Sequence, residues 1–444
     1  MPTLARGSLI LILPQRYSYP LSFTHKSQQT LETALRSCIA YQPWRELDPG
    51  PTAPLDARFD ALPELSKEMI RSNFPLGLLP DGKDVRQGLQ NEEIEYTFTS
   101  GTTGERVINI WDQNWWDRCE LASWQLSAHL ATLSYPPTVA KLASSLNVGI
   151  SCEEDLPTSS RLIGNTLYLN EKINLIQWMP RHFQRMASEL TEFAPDIIEA
   201  NPSLLARLVY WAQDNGVKLY SPKAIIFTYE FISKIHLSAM RKAFSCPLIS
   251  SYGTTETGFV LEECEAGMLH QNLDFCRIDF EPLKEQYGGA ELGRMLVTTF
   301  DNPWNTVVRF DTGDLLRLYP SGKCLCGRDT GMIAYAVEGR ISNCTFSTKG
   351  DLVTTMALDE ALFSIGGIRD YHLEQNDPNH YSLQLMTQPA GGANCQVVRQ
   401  KLCQLYGDDA EYNITVVDNI LPGPAGKFRR TQVNFPFDWK ELLA

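Results

Sequence analysis

The sequence predicts an α/β protein in which a large domain built on a parallel sheet precedes a small α+β domain. Three observations carry this. Buried apolar runs alternate with helical periodicity between residues 196 and 250. A Gly/Thr/Glu turn stands at the end of the third run. Beyond residue 340 the pattern changes to alternating strands around a single helix.

The first hundred residues mix helical and loop signals with Pro43, Pro49, Pro51, Pro54 and Pro63. They offer no catalytic spacing and read as a helical cap on a larger domain. Asp196–Ala200 reads as a short buried strand. Asn201 then starts a helix, because its side chain can accept a bond from a free N–H and Pro202 fits the first turn. Leu204, Leu205, Leu208, Val209, Trp211 and Ala212 recur at helical spacing, and Gly216 suits the stop. Lys223–Phe227 reads as a second strand. Ile235, Leu237, Met240 and Phe244 mark one face of the next helix, and Pro247–Ser250 reads as a third strand. Such alternation implies parallel strands joined by right-handed crossovers. Sheets of this kind bind ligands beyond the carboxyl ends of their strands, where Ser251 to Glu256 falls. Later, Tyr381, Leu383 and Leu385 alternate as in a half-buried strand. Val397, Val398, Leu402 and Leu405 read as a helix, and Ile414 with Val416 as another strand. The boundary is placed at Glu338-Gly339-Arg340, dividing the chain into residues 1–337 and 338–444.

Asp and Glu outnumber Lys and Arg by 52 to 39 over 444 residues, a net charge of −13. That balance argues against a surface that binds nucleic acid broadly. The hydrophobic fraction of 43% and charged fraction of 20% are those of an ordinary soluble protein. The apolar run from Leu9 to Leu13 ends at Pro14, too short for a signal sequence or a bilayer span. With eleven cysteines, an odd number, the expectation is a cytoplasmic protein without a membrane partner. Its thiols are then free or bound to metal.

Five stretches could carry chemistry. Tyr96 to Gly104 runs from aromatic residues into two glycines and four hydroxyls. Glycines let backbone N–H groups approach an anion, and hydroxyls add neutral donors, which suits a polyphosphate. No Gly-Lys-Ser/Thr ends it, so it is not a Walker loop. Tyr252-Gly253-Thr254-Thr255-Glu256 offers a ring for a base and a carboxylate for Mg²⁺. Arg309 to Asp314 places a carboxylate on a tight turn, where it can accept both ribose hydroxyls. Glu338-Gly339-Arg340 marks the domain boundary, and Leu421 to Arg430 is a Gly/Pro loop carrying Lys427. Taken singly, each also reads as a polar turn or a solvated charge.

In order and spacing the five resemble the adenylate-forming superfamily of acyl-CoA synthetases and adenylation domains. That pattern is a Ser/Thr/Gly phosphate loop, Tyr-Gly-x-Thr-Glu, Thr-Gly-Asp, a Gly-Arg hinge and a C-terminal Gly-Lys. Here it spans residues 96 to 430. The phenylacetate–CoA ligase branch looks most similar, on Asn201-Pro202-Ser203, Tyr229-Glu230 and Gly267-Met268-Leu269-His270. The resemblance implies a large N-terminal domain of layered sheets and helices and a small mobile C-terminal lid. It implies ATP, Mg²⁺ and coenzyme A, and a carboxylic acid converted to an acyl-adenylate and then a thioester.

Residue by residue, the resemblance would have Thr99, Ser100, Gly101, Thr102, Thr103 and Gly104 hold the β- and γ-phosphates. Tyr252 would pack on adenine in a turn with Gly253 and Thr254, and Thr255 would meet the α-phosphate. Glu256 would ligate Mg²⁺, Asp314 would bind the ribose, and Arg340 would lie near the nucleotide. Lys427 would bridge the attacking carboxylate and the nucleotide, as a cation at neutral pH. The acyl pocket would take Phe227, Tyr229, Phe231, Gly253 and Phe259, and the branch implies a small aromatic acid. Three departures stand out. Glu105-Arg106 follows the phosphate loop where relatives place a lysine, Ser342-Asn343 replaces the usual hinge Asp or Lys, and Asp311 replaces a basic residue.

Cys264, His270, Cys324 and Cys326 make a donor set suited to a closed structural zinc site. Some relatives in the resembling branch carry such residues at corresponding places. The other reading is four ordinary residues with Cys326-Gly327 as a turn. The leading expectation is an aryl-acid–CoA ligase, with a homodimer compatible with it. The alternatives are an adenylating enzyme that loads a carrier-protein thiol and a non-catalytic nucleotide- or acyl-binding relative.

Overall fold

The computed structural model describes residues 17–98, 107–148, 150–389, 391–423 and 426–444. Strands are numbered in chain order. β1 (Glu95–Phe98) and β2 (Ile108–Trp111) form an antiparallel pair, with Phe98 opposite Ile108. β3 (Val139–Leu142), β4 (Leu162–Ile163), β5 (Thr166–Tyr168), β6 (Ile197–Ala200), β7 (Ala224–Phe227) and β8 (Leu248–Thr254) build half of a 12-stranded sheet. β9 (Gly258–Glu263), β10 (Leu269–Gln271), β11 (Cys276–Pro282), β12 (Leu292–Thr299), β13 (Phe310–Leu318) and β14 (Ile333–Arg340) build the other half. The order is β11-β12-β13-β14-β10-β9-β8-β7-β6-β3-β5-β4. β5, β3, β6, β7 and β8 run parallel, and from β8 to β11 every neighbour is antiparallel.

The parallel half follows the predicted alternation. Asn201 caps the helix Pro202–Asp214, its Oδ1 accepting from the backbone N–H groups of Ser203 and Leu204. Ala140, Leu142, Ile198, Ala200, Ile225 and Phe227 point to one face, against the helices Pro180–Phe193, Pro202–Asp214 and Lys234–Ala243. Ile197, Ala224, Ile226 and Ile249 point to the other, against Trp124 and Leu130. The antiparallel half escapes sequence reading because its strands are enclosed on both faces. All eight residues of β12 are buried, so no period-two alternation remains to be seen.

The N-terminal cap is helical as expected. Leu31, Tyr41, Trp44, Phe59 and Leu65 close over Val307, Val308 and Phe310 at the antiparallel half. Among the described residues no helix is long and apolar enough to cross a membrane.

After β14 a separate C-terminal domain forms. β15 (Thr345–Phe346) and β16 (Leu352–Val353) pair, and β17 (Ile368–Asp377), β18 (His380–Thr387), β19 (Glu411–Val416) and β20 (Thr431–Val433) make a second sheet in the order β19-β18-β17-β20. The helices Thr355–Phe363 and Cys395–Tyr406 bury Leu358, Leu362, Val398 and Leu402 against Tyr371, Leu373, Tyr381 and Leu385.

The edge of the parallel half is tied down electrostatically. Arg161 is fully buried and pairs with Glu189 of the helix Pro180–Phe193. Its Nη1 also donates to the Tyr168 carbonyl at 2.7 Å. Arg185 holds the buried Glu171 through two bonds of 2.7 Å. Removing one partner of a buried pair strands the other's charge. Arg161→Met should therefore lower unfolding free energy by about 3–5 kcal/mol, read as an earlier urea midpoint.

Candidate functional site

The carboxyl ends of the parallel strands, β13, β14 and the C-terminal domain enclose one cavity of about 1450 Å³. Its walls include Tyr252, Thr255, Glu256, Asp314, Arg340 and Lys427. These residues come from four stretches far apart in sequence, and the fold brings them together.

Tyr252, Gly253 and Thr254 end β8, and the turn into β9 carries Thr255 and Glu256. A Cβ added at Gly253 would meet the Gly258 carbonyl oxygen at 2.3 Å, so only glycine fits this crossing. The Tyr252 hydroxyl donates to Asp314 Oδ2 at 2.8 Å. Burial, then the Asp314 charge, pushes that phenol well above its ordinary pKa, so it remains a donor. Asp314 and Arg340 are register partners across β13 and β14, with Nε 3.9 Å from Oδ1. Glu256 is buried, and its Oε1 has no hydrogen-bond partner. Lys67 Nζ, on the helix Lys67–Asn73, lies 3.6 Å from that oxygen.

Lys427 follows the Gly/Pro loop and is held from below. Its neighbour Phe428 donates its backbone N–H to Glu230 at 3.0 Å, and its ring enters the core of the parallel half. Arg430 pairs with Asp370 and donates to Ser203 Oγ at 2.6 Å. The Ser203 hydroxyl in turn bonds Glu230. Asp359 accepts from the backbone N–H of Lys234 at 2.6 Å. The Tyr210 hydroxyl donates to the Arg369 carbonyl at 3.0 Å. The C-terminal domain is thus docked on the helices Pro202–Asp214 and Lys234–Ala243. Among the described residues the Lys427 ammonium has no hydrogen-bonding or ion-pairing partner. Burial lowers its pKa, Arg340 adds to that, and Asp314 and Glu230 oppose it.

Thr99, Ser100, Gly101, Thr102, Thr103 and Gly104, with Glu105 and Arg106, lie outside the described residues. The flanking Thr97 and Phe98 line the cavity. Tyr229, Phe231, Gly253 and Phe259 line it too, with Trp116 against Phe259 at 5.0 Å between ring centroids. Phe227 borders it, but its side chain belongs to the core on the far face of the sheet. Ser342 and Asn343 also reach the wall. Asp311 is engaged elsewhere, accepting from Arg294 at 3.2 Å.

Four wall residues were missed from sequence: Lys67, Glu120, Lys141 and Glu199. Lys141 and Glu199 did carry a signal, as charged residues inside strands otherwise apolar. Lys67 and Glu120 sit on helices whose polar faces look solvated.

The Cys264, His270, Cys324 and Cys326 ligand atoms all lie within 4.8 Å of one another. Cys264 Sγ and Cys324 Sγ are 3.8 Å apart, and Cys326 Sγ is 3.5 Å from His270 Nε2. Tetrahedral zinc with bonds near 2.3 Å to sulfur and 2.0 Å to nitrogen sets edges of about 3.8 and 3.5 Å. The donor set therefore fits zinc in chemistry and in spacing.

No protein-family model matches the chain. Protein CapK of Staphylococcus aureus is 22% identical over 384 residues, covering 84% of this chain and 80% of that protein. A 2-hydroxyisobutyryl-CoA ligase in the postadenylation state superposes with a TM-score of 0.69 at 15% identity, over 95% of this chain and 91% of its own. The same ligase in the thioesterification state gives 0.55 at 17% identity, over 95% and 92%. The anthranilate CoA ligase AuaEII with anthranoyl-AMP gives 0.51 at 14% identity, over 91% and 79%. The chain has the fold of the adenylate-forming CoA ligases.

Because the β8–β9 crossing leaves no room at Gly253, Gly253→Ala must displace backbone. It should cost about 1–3 kcal/mol, measured by urea denaturation against the parent chain.

Proposed function

We propose that this chain activates a small carboxylic acid with ATP and transfers the acyl group to a thiol, as an acid–CoA ligase forming AMP and pyrophosphate. One observation carries the reading. A half-buried Lys427, without a side-chain partner among the described residues, is held by a docked second domain in the cavity that contains Tyr252, Asp314, Arg340 and Glu256. The docking agrees with the better superposition on the postadenylation state than on the thioesterification state.

In this reading the acid's carboxylate attacks the α-phosphorus and pyrophosphate leaves. Two anions must approach, so catalysis is positioning and charge neutralisation. Lys427 and Arg340 supply positive charge at that point, and Thr255 orients the α-phosphate. Thr99 to Gly104 hold the β- and γ-phosphates. Asp314, steadied by the Tyr252 hydroxyl, accepts from the ribose while the Tyr252 ring lies on adenine. Glu256 would hold Mg²⁺, which neutralises phosphate charge when bound; its buried Oε1 accepts no hydrogen bond and has only the Lys67 ammonium at 3.6 Å. Lys67 shares Glu256 before nucleotide arrives. The Glu338–Arg340 segment then serves as the hinge between residues 1–337 and 338–444, so that the C-terminal domain can turn and admit the thiol. The thiol displaces AMP from the acyl-adenylate. Coenzyme A is the acceptor favoured by the fold, with a carrier-protein thiol as the second reading. Tyr229, Phe231, Phe259 and Trp116 suit an aromatic acid.

Cys264, His270, Cys324 and Cys326 would hold zinc in a structural role. Four protein ligands leave no open position, and the site ties β9 and β10 to the loop before β14.

Acid-dependent exchange of labelled pyrophosphate into ATP, with and without coenzyme A, tests the activity across a panel of acids. No exchange with any acid would leave only a binding protein. Lys427→Ala should lower exchange roughly a hundred-fold or more with an unchanged melting temperature. The working form of Lys427 is the cation, present below its pKa and lost above it. Because that pKa is lowered, exchange should fall at a lower alkaline pH than an ordinary lysine would give. Protein purified without chelator should hold about one zinc per chain, lost in Cys324→Ser, as read by elemental analysis.

A further inference from the structure

The far end of the cavity is not apolar. On one face of the parallel sheet, Lys141 of β3 and Glu199 of β6 are register partners, and Lys141 Nζ lies 2.8 Å from Glu199 Oε2. The Tyr229 hydroxyl donates to the other oxygen, Glu199 Oε1. Tyr229 adopts φ 78°, a left-handed conformation that a bulky residue rarely accepts. Backbone strain of this kind persists only where surrounding structure holds it, and here it accompanies a ring aimed at Glu199. Both Glu199 oxygens are therefore occupied, and its charge is matched by Lys141.

Glu120 is different. It projects from the helix Gln113–Trp124, which covers this face, and lines the same cavity. Among the described residues its carboxyl has no hydrogen-bond or ion-pair partner. Lys141 is already taken by Glu199, and Asp117 of the same helix adds a further negative charge. Burial first, then Glu199, pushes Glu120 up to about 8, so it stays protonated at neutral pH. The remaining titratable groups near it are Tyr229, Cys119 and Glu262 of β9, whose pKa values burial raises, and the exposed Tyr135, a neutral phenol at this pH. With Glu120 protonated the set carries no net charge, and the Glu120 carboxyl is its one member without a partner among the described residues. Aromatic residues line the same cavity, with the Trp111 ring tilted against Trp116 at 4.1 Å between centroids and Trp116 against Phe259.

Resting on the acid-activating function proposed above, we infer that the acid carries a basic amine, bound as an ammonium by Glu120 where the helix Gln113–Trp124 forms the wall of the cavity. The ring or spacer lies between Trp116 and Phe259, and the carboxylate faces Lys427. The step is non-covalent and balances in protons. A protonated amine enters, Glu120 releases its proton to solvent, and an ammonium–carboxylate pair remains.

The test is calorimetric titration of AMP-saturated protein with 3- and 4-(aminomethyl)benzoate, against 3- and 4-ethylbenzoate as neutral isosteres and 4-(hydroxymethyl)benzoate as a neutral donor. An aminomethyl acid should bind at least roughly tenfold more tightly than its ethyl isostere. Titration in buffers of different ionisation enthalpy should show release of about one proton near pH 7. Glu120→Gln keeps shape and the neutral state, so it should fold as the parent does. It should lose both the preference and the proton release while binding ethylbenzoate as before. Equal or tighter binding of the ethyl acids, binding of neither, or an unchanged preference in Glu120→Gln would each overturn the inference. Pyrophosphate exchange separates the two proposals. Exchange with neutral acids alone would retire the role of Glu120 and leave acid activation standing. A calorimetric amine preference without exchange would retire activation and leave the pocket.

Discussion

The candidate site depends on holding one ammonium in a fixed place on the cavity wall, half-buried and unpaired among the described residues. Lys427 has no ionic partner of its own, and burial works against its charge. The cost is offset by the docking of its neighbours. Phe428 fills the core of the parallel half, Glu230 takes its backbone N–H, and Arg430 closes a buried chain through Asp370, Ser203 and Glu230. Such a chain is strong only while complete, because each lost partner strands a buried charge. A cation held this way is poised for an incoming anion and contributes least when none is present.

A chain of net charge −13 can still gather basic side chains in one cavity. Net charge acts over the whole surface and is screened within about 10 Å, while the cavity is set locally. Lys67, Arg340 and Lys427 converge there against Glu256 and Asp314. Asp314 is itself fixed by Tyr252 and adjoins Arg340, so its carboxylate is held in one orientation.

The parts legible in sequence were those with a periodicity or a turn constraint. Asn201-Pro202 announced its helix, because a cap and a first-turn proline leave local marks, and the flanking strands followed. The turn at Gly253 and the aspartate at 314 could be placed from motif order, and the cavity contains both. The antiparallel strands β9 and β12 were illegible, since burial on both faces erases alternation. Lys67 was missed for another reason. Its proximity to Glu256 is made by folding a helical cap across some 190 residues of sequence, and nothing local marks it. The cysteine and histidine set was legible as chemistry but not as geometry. The tetrahedral edges appear only once β9, β10 and the loop before β14 are adjacent.

The cavity wall has two polar places with opposite needs. Among the described residues the Lys427 ammonium is unpaired on one part of the wall and the Glu120 carboxyl is unpaired on another. Between them the walls are aromatic. A ligand that satisfies only the first leaves Glu120 protonated in a desolvated corner, where a neutral acid finds no acceptor among the described residues. A ligand that spans both, anionic at one and cationic at the other, completes each set and carries little net charge into a site of low dielectric. Such a ligand avoids the penalty that limits burial of single ions. Specificity then comes from a polar group that would otherwise be stranded, which discriminates more sharply than the fit of an apolar wall.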